Sequence, residues 1–150
     1  MTAELAAPLL ALRDHDRQTR ERLRAAGRLF GTYDDEMQAV HRDNAHALDA
    51  LVEHHGWPGL SLVGLEACRA AWLVAQHANC TPALQRKFLA LMIAAAEIGE
   101  VPARQVAMLT DRVRFNEGRP QVYGTVLDWD AGGQLSCTLE DPAAVDDRRR

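Results

Sequence analysis

The chain has 150 residues, 47% of them hydrophobic and 25% charged, the balance of one globular domain rather than of a disordered or fibrous protein. Seventeen basic and twenty-one acidic side chains give a net charge of −4, which argues against a nucleic-acid partner. No apolar run reaches the roughly 18–20 residues that span a bilayer, and acidic Glu4 precedes every basic residue, unlike a secretory signal. Three cysteines without the spacing of a disulfide framework favour a reducing compartment. We therefore expect a cytoplasmic protein with no membrane and no nucleic-acid partner.

The first half predicts two amphipathic helices. Residues 3 to about 27 carry an apolar stripe at helical spacing, with charges on the other face. Asp34 or Asp35 can cap a second helix, whose stripe runs from Met37 to Leu51. It is expected to stop at His55, because Trp57-Pro58 cannot continue it.

The middle of the chain predicts two more deeply buried helices, over about 64–79 and 82–98. Both are apolar nearly all round, which is typical of helices in the centre of a bundle. Thr81-Pro82 marks the start of the second, as a cap followed by proline at the first helical position.

A fifth helix and a hairpin complete the prediction. The helix begins at Pro102 and ends near Gly118, after which the hydrophobic period changes to two. Two strands, 122–129 and 134–139, are expected around the turn at Gly132-Gly133. The fold class is mainly α: a compact bundle of about five helices with a C-terminal β-hairpin. Residues 1–140 are expected to form one domain, and residues 141–150 a charged, mobile tail.

Polar residues in apolar positions indicate where a site lies. Asp16 falls in the first helix's stripe, four residues before Arg20, so the two can form an ordinary intrahelical pair or contribute to a site. Gln76 and His77 end the most apolar helix, where an unpaired polar group costs about 1–3 kcal/mol. His77 is either a helix-capping cation or a functional residue.

A second polar group surrounds the start of the predicted hairpin. Asp111 and Arg112 come near the end of the fifth helix, and Gln121 and Tyr123 are two apart on one predicted strand. These side chains offer an anion, a bidentate anion clamp, an amide and a phenol. They predict either one site with His77 or a structural network between hairpin and bundle.

Four motifs stand out along the chain: Gly56-Trp57-Pro58, Gln76-His77-Ala78-Asn79, Leu109-Thr110-Asp111-Arg112-Val113 and Gly118-Arg119-Pro120-Gln121-Val122-Tyr123-Gly124-Thr125. Together they resemble a bacterial family catalogued as domain of unknown function 6624. The resemblance implies that Gln76, His77, Asp111, Arg112, Gln121, Tyr123 and Gly124 belong to one shared site. Asn79 departs from the aspartate usual in that family, and the chain stops where relatives continue.

Two functions fit these observations. The first is a small enzyme that performs metal-independent acid/base chemistry (hydrolysis, elimination, cyclisation or isomerisation) on a polar metabolite, without a cofactor. His77 would be the general acid/base, oriented by Asp111, with Tyr123 as the third catalytic residue. The expected substrate contacts are Arg112, Gln121, Gln76, Asp16 and Trp57. The second function is a non-catalytic ligand-binding or protein-interaction module that uses the same patch, and the oligomeric state, monomer or homodimer, is open.

Overall fold

The structure is a computed structural model that describes residues 2–150, and the chain divides into two compact units. The first unit runs through Val101 and contains four helices, α1 (Ala3–Ala25), α2 (Asp35–His55), α3 (Leu60–His77) and α4 (Pro82–Glu97). The second, Pro102–Arg150, contains α5 (Ala103–Asn116), strands β1 (Asp128–Trp129) and β2 (Leu135–Ser136), a 3-10 turn (Pro142–Ala144) and α6 (Val145–Arg148). The mainly helical class with a C-terminal hairpin is confirmed. The expected single domain over residues 1–140 stays a prediction.

The predicted cap of α2 is confirmed. The Asp34 side chain accepts hydrogen bonds from the backbone N–H groups of Glu36 and Met37, at 2.9 and 3.4 Å. Farther along, the side-chain amide of Asn44 donates to the carbonyl of Leu12 at 3.0 Å, which ties α2 to α1. This buried amide lies in the apolar stripe at little cost because it is paired.

Helix α3 is the centre of the first unit and contacts α1, α2 and α4. Its small apolar side chains are buried, as its all-round apolarity predicted, and its first turn is separated from the rest by a kink. At the kink, Gly64 has φ +78°, a conformation that side chains with a Cβ rarely adopt.

Helix α4 is less buried than predicted. It buries one face, through Gln85, Phe88 and Met92, whereas Ile93 is 43% exposed and Ile98, just beyond its end, 77% exposed. Among the described helices of its unit, α4 contacts α2 and α3, and one apolar stripe along α4 is enough to form both contacts. The prediction of burial on all sides is therefore wrong for α4, whose alanines satisfied the apolar pattern without requiring burial.

The hairpin is shorter than predicted. Asp128 pairs with Ser136 and Trp129 with Leu135, and the turn between them is closed by Asp130, which accepts from the N–H groups of Gly132 and Gln134 at 2.9 Å each. Residues 121–127 form no strand; only an isolated bridge joins Gln121 to Leu139.

The last ten residues contain the 3-10 turn and α6. The Nε group of Arg149 donates to the carbonyl of Tyr123 at 2.8 Å, and Arg148 pairs with Glu140. The mobility expected of this tail stays a prediction. Over residues 2–150, no helix combines the length and the apolarity needed to cross a membrane.

Candidate functional site

A buried carboxylate marks the candidate site in the first unit. Asp16 lies on the inner face of α1 and is 3% exposed. Its neighbours are His41, from the middle of α2, and His77, the last residue of α3. Asp16 pairs with these imidazoles rather than with Arg20, which is exposed. With Tyr33 these residues form what we call the Asp16 cluster.

The two imidazoles converge on one oxygen atom. Oδ2 of Asp16 accepts a hydrogen bond from Nδ1 of His77 at 2.5 Å. Nε2 of His41 lies 3.2 Å from the same oxygen, but this nitrogen is buried and has no hydrogen-bond partner of adequate geometry. The two ring centroids are 4.8 Å apart.

Tyr33 fixes His41 from the other side. Its hydroxyl and Nδ1 of His41 share a hydrogen bond, so Nε2 is the nitrogen that is turned toward Asp16. Burial raises the pKa of the Tyr33 phenol, and neighbouring Cys80 and the charge of Asp16 raise it further. The phenol is therefore neutral at physiological pH.

Asp16 is ionised in this setting. Burial raises the pKa of its carboxyl, but the adjacent imidazoles of His41 and His77 outweigh burial and hold the pKa well below its ordinary value. A carboxylate that bonds one ring nitrogen of a histidine fixes its tautomer and orientation. Asp16 thus leaves Nε2 of His77 as the nitrogen available for chemistry.

His77 is the histidine of the cluster that solvent reaches more easily, with 19% of its side chain exposed against 10% for His41. Its Nδ1 atom faces a carboxylate rather than the carbonyls at the end of α3. Of the two interpretations of His77, this contact favours a functional residue over a helix cap.

The cluster also has the composition of a metal site. One ligand atom from each of Asp16, His41 and His77 lies within 4.8 Å of the other two. Two imidazoles and a carboxylate are ligands that zinc and other transition-metal ions accept.

Asp111 in the second unit has a different environment. It is fully buried, and its Oδ1 accepts from the N–H groups of Val122 and Tyr123 at 2.8 and 3.0 Å. Its Oδ2 accepts from the N–H and hydroxyl groups of Thr125 at 2.9 and 2.8 Å. We call this arrangement the Asp111 cradle. It explains why no strand forms here, because these N–H groups bond to a side chain instead of to a neighbouring strand.

The other predicted residues of this unit lie around the cradle. The Gln121 amide bonds both backbone groups of Val126, donating at 2.7 Å and accepting at 3.0 Å. The N–H group of Tyr123 donates to Asp111, and its carbonyl accepts from Arg149.

Arg112 lies in an apolar setting. Burial lowers the pKa of its guanidinium, and its Nε atom is buried without a hydrogen-bond partner. The guanidinium carbon lies 5.9 Å from the ring centroid of Phe115. The structural-network alternative describes these contacts well, and the catalytic and substrate-binding roles stay predictions.

In the first unit, Trp57 and Gln76 have contacts typical of a core. The Trp57 ring packs on Phe88 with centroids 6.1 Å apart, and Gln76 is buried, its carbonyl accepting from Gln85 at 3.4 Å. Both stay predicted substrate contacts.

Sequence reasoning missed His41 and Tyr33. His41 is four residues after Met37 and three before Asn44, which places it on the buried face of α2. That spacing was a usable signal. Tyr33 had none, because it precedes the helix.

One comparison with known proteins gives a match. The model of a family described as "Family of unknown function (DUF6624)" matches residues 3–150, in agreement with the resemblance found in the motifs. No curated protein and no solved structure is similar to the chain at a significant level.

Proposed function

We propose that this chain, which belongs to DUF6624, a family of unknown function, is a small enzyme performing acid/base chemistry on a polar metabolite. The observation that carries the proposal is the 2.5 Å hydrogen bond between Asp16 and the partly exposed His77. A buried carboxylate paired with an accessible imidazole is the arrangement that general-base enzymes use. A cytoplasmic location and a small polar partner belong to this proposal.

Each residue has a distinct role. Nε2 of His77 takes a proton from the substrate or from water and returns it to the leaving group. Asp16 is a positioning residue: it holds the tautomer that presents Nε2 and stabilises the imidazolium that forms. It replaces Asp111 as the proposed orienting group because all four hydrogen bonds to Asp111 come from Val122, Tyr123 and Thr125. The reaction is a hydrolysis, elimination, cyclisation or isomerisation.

The test compares His77→Gln with a matched histidine control. The parent protein and each variant are incubated with a panel of esters, lactones, amides and hydroxy acids, and products are followed by mass spectrometry. We expect His77→Gln to lower turnover about 10²–10⁴-fold. Asp16→Asn should also lower turnover, and His46→Gln, on an exposed side chain, should leave it unchanged.

Two results would contradict the proposal. Equal turnover by the parent and His77→Gln would remove His77 from the chemistry. If the parent converts nothing but panel compounds raise its melting temperature, the ligand-binding alternative replaces the enzyme.

A further inference from the structure

We infer that Asp16, His41 and His77 form a binding site for one divalent transition-metal ion of the zinc class. The inference rests on the proposed function only in that both use the same cluster. With an ion bound, His77 is a ligand through Nδ1, and the base is water on the ion rather than Nε2 of His77. The evidence for the inference is separate, because it depends on His41, which the Asp16–His77 pair does not require.

The unsatisfied nitrogen of His41 is the main observation. The residue is 8% exposed, and its Nε2 atom is buried without a hydrogen-bond partner although it faces the Asp16 carboxylate. A buried polar atom without a partner costs about 1–3 kcal/mol, so such atoms are rare without a reason. A cation between Nε2 and Oδ2 of Asp16 would satisfy both atoms at once.

The contact with Tyr33 strengthens this argument. Histidines that bind a metal through one ring nitrogen commonly use the other in a hydrogen bond, which fixes the ring. The Tyr33 hydroxyl shares such a bond with Nδ1 of His41, and Nε2 is left as the ligand atom.

The three ligand atoms lie within 4.8 Å of one another, and His77 must move for them to surround one ion. Ligand atoms around a tetrahedral zinc ion lie about 3.3 Å apart, given bonds of about 2.0 Å. His41 Nε2 is already 3.2 Å from Oδ2 of Asp16, whereas His77 Nδ1, at 2.5 Å, must move outward. The ion takes the place of the proton on Nδ1 of His77, and Nε2 of the same ring takes up a proton, so the imidazole stays neutral as a ligand. Three protein ligands leave the fourth position open, as in catalytic rather than structural zinc sites, and a water bound there is acidic enough to supply a base near pH 7.

Metal binding is tested directly, without a substrate. Untagged protein is stripped with EDTA and titrated with Zn²⁺ by calorimetry, and Co²⁺ is added to record the visible spectrum of a tetrahedral site. We expect one ion per chain and, with Co²⁺, the absorption bands of a tetrahedral site.

The deciding variant is His41→Gln, which removes one ligand and keeps the Asp16–His77 hydrogen bond. We expect it to weaken Zn²⁺ binding at least tenfold, and Tyr33→Phe to weaken it about 10–100-fold as an outer-shell change. His46→Gln and Cys80→Ser are the controls, the second because a thiolate is a strong competing ligand. Both should bind like the parent.

The inference is overturned if the parent binds no Zn²⁺ at about 100 μM, or if His41→Gln weakens binding less than tenfold, which would mean an adventitious ion only. Its failure is distinct from failure of the enzyme proposal. A protein that binds the ion but converts no substrate keeps the site and loses the enzyme. A protein that binds no ion but still converts substrate in EDTA keeps the enzyme and loses the metal site.

Discussion

Two buried carboxylates, Asp16 in α1 and Asp111 in α5, are held by opposite kinds of partner. Asp16 lies between two imidazoles, whose ring nitrogens can act as proton donors or acceptors. Asp111 lies among three backbone N–H groups and a hydroxyl, none of which titrates in the physiological range. The two carboxylates are therefore similarly buried but differ in the chemistry that their partners can perform.

The difference is the one that we expect between a structural network and the proposed functional site. The cradle satisfies both oxygens of Asp111 and in doing so fixes the backbone of residues 122–125. The Asp16 cluster leaves His41 Nε2 without a hydrogen bond and His77 partly exposed. A site that acts on other molecules needs such unsatisfied or accessible groups, whereas a structural network is most stable without them.

The largest effect that tests this comparison is expected from Asp111→Asn. The amide NH₂ would face backbone N–H donors, which would be left buried without an acceptor. We expect the free energy of unfolding, measured with urea, to fall by about 3 kcal/mol. Asp16→Asn should cost less, about 2 kcal/mol, because the charge is lost but the asparagine oxygen can still accept from His77.

Asp43→Asn is the matched control for both variants, since Asp43 is exposed, and it should change stability by no more than about 0.5 kcal/mol. If Asp111→Asn costs no more than Asp16→Asn, the cradle does not carry the stability assigned to it and the comparison fails.

A smaller effect is expected from Gly124→Ala, beside the cradle. Gly124 has φ +67°, and a Cβ there would lie 3.0 Å from Leu139 Cδ2 and 3.1 Å from the Arg149 guanidinium. Gly133 has a similar φ of +75°, but a Cβ there meets nothing within 4 Å. We expect Gly124→Ala to cost about 2 kcal/mol and Gly133→Ala about 1 kcal/mol in thermal or urea unfolding. Equal losses would show that the close packing around Gly124 contributes nothing.

The helices could be predicted from the sequence because their signals are local. The cap at Asp34, the proline at position 82 and the break at Gly56-Trp57-Pro58 each act within a few residues. The predicted strands of the hairpin were too long because the signal that decides their length is not local. Alternation over 122–127 suits a strand, but the acceptor for its N–H groups is Asp111, at least eleven positions earlier in the chain.

The candidate site could be predicted in part. Asp16 and His77 stood out as polar residues in apolar stripes, and the structure brings them together. Their pairing could not be derived, because they are 61 residues apart and only the packing register of α1 on α3 decides which residues meet. Asp111 was selected for its position before the predicted hairpin, and that position does not show whether imidazoles or backbone groups bind a carboxylate.

The smallest predicted effect uses the pH dependence of stability. The pKa of Asp16 is lower in the folded protein than in the unfolded chain, where it is about 3.9. Its ionised form therefore stabilises the fold fully above that value, and this stability is lost as the pH falls toward the folded-state pKa. Between pH 5 and pH 3 the loss attributable to Asp16 is about 1 kcal/mol. Urea unfolding in EDTA should show a weaker pH dependence over this range for Asp16→Asn than for the parent, while Asp43→Asn follows the parent. Parallel curves for the parent and Asp16→Asn would mean that the imidazoles do not hold Asp16 ionised, and the contrast with Asp111 would lose its electrostatic basis.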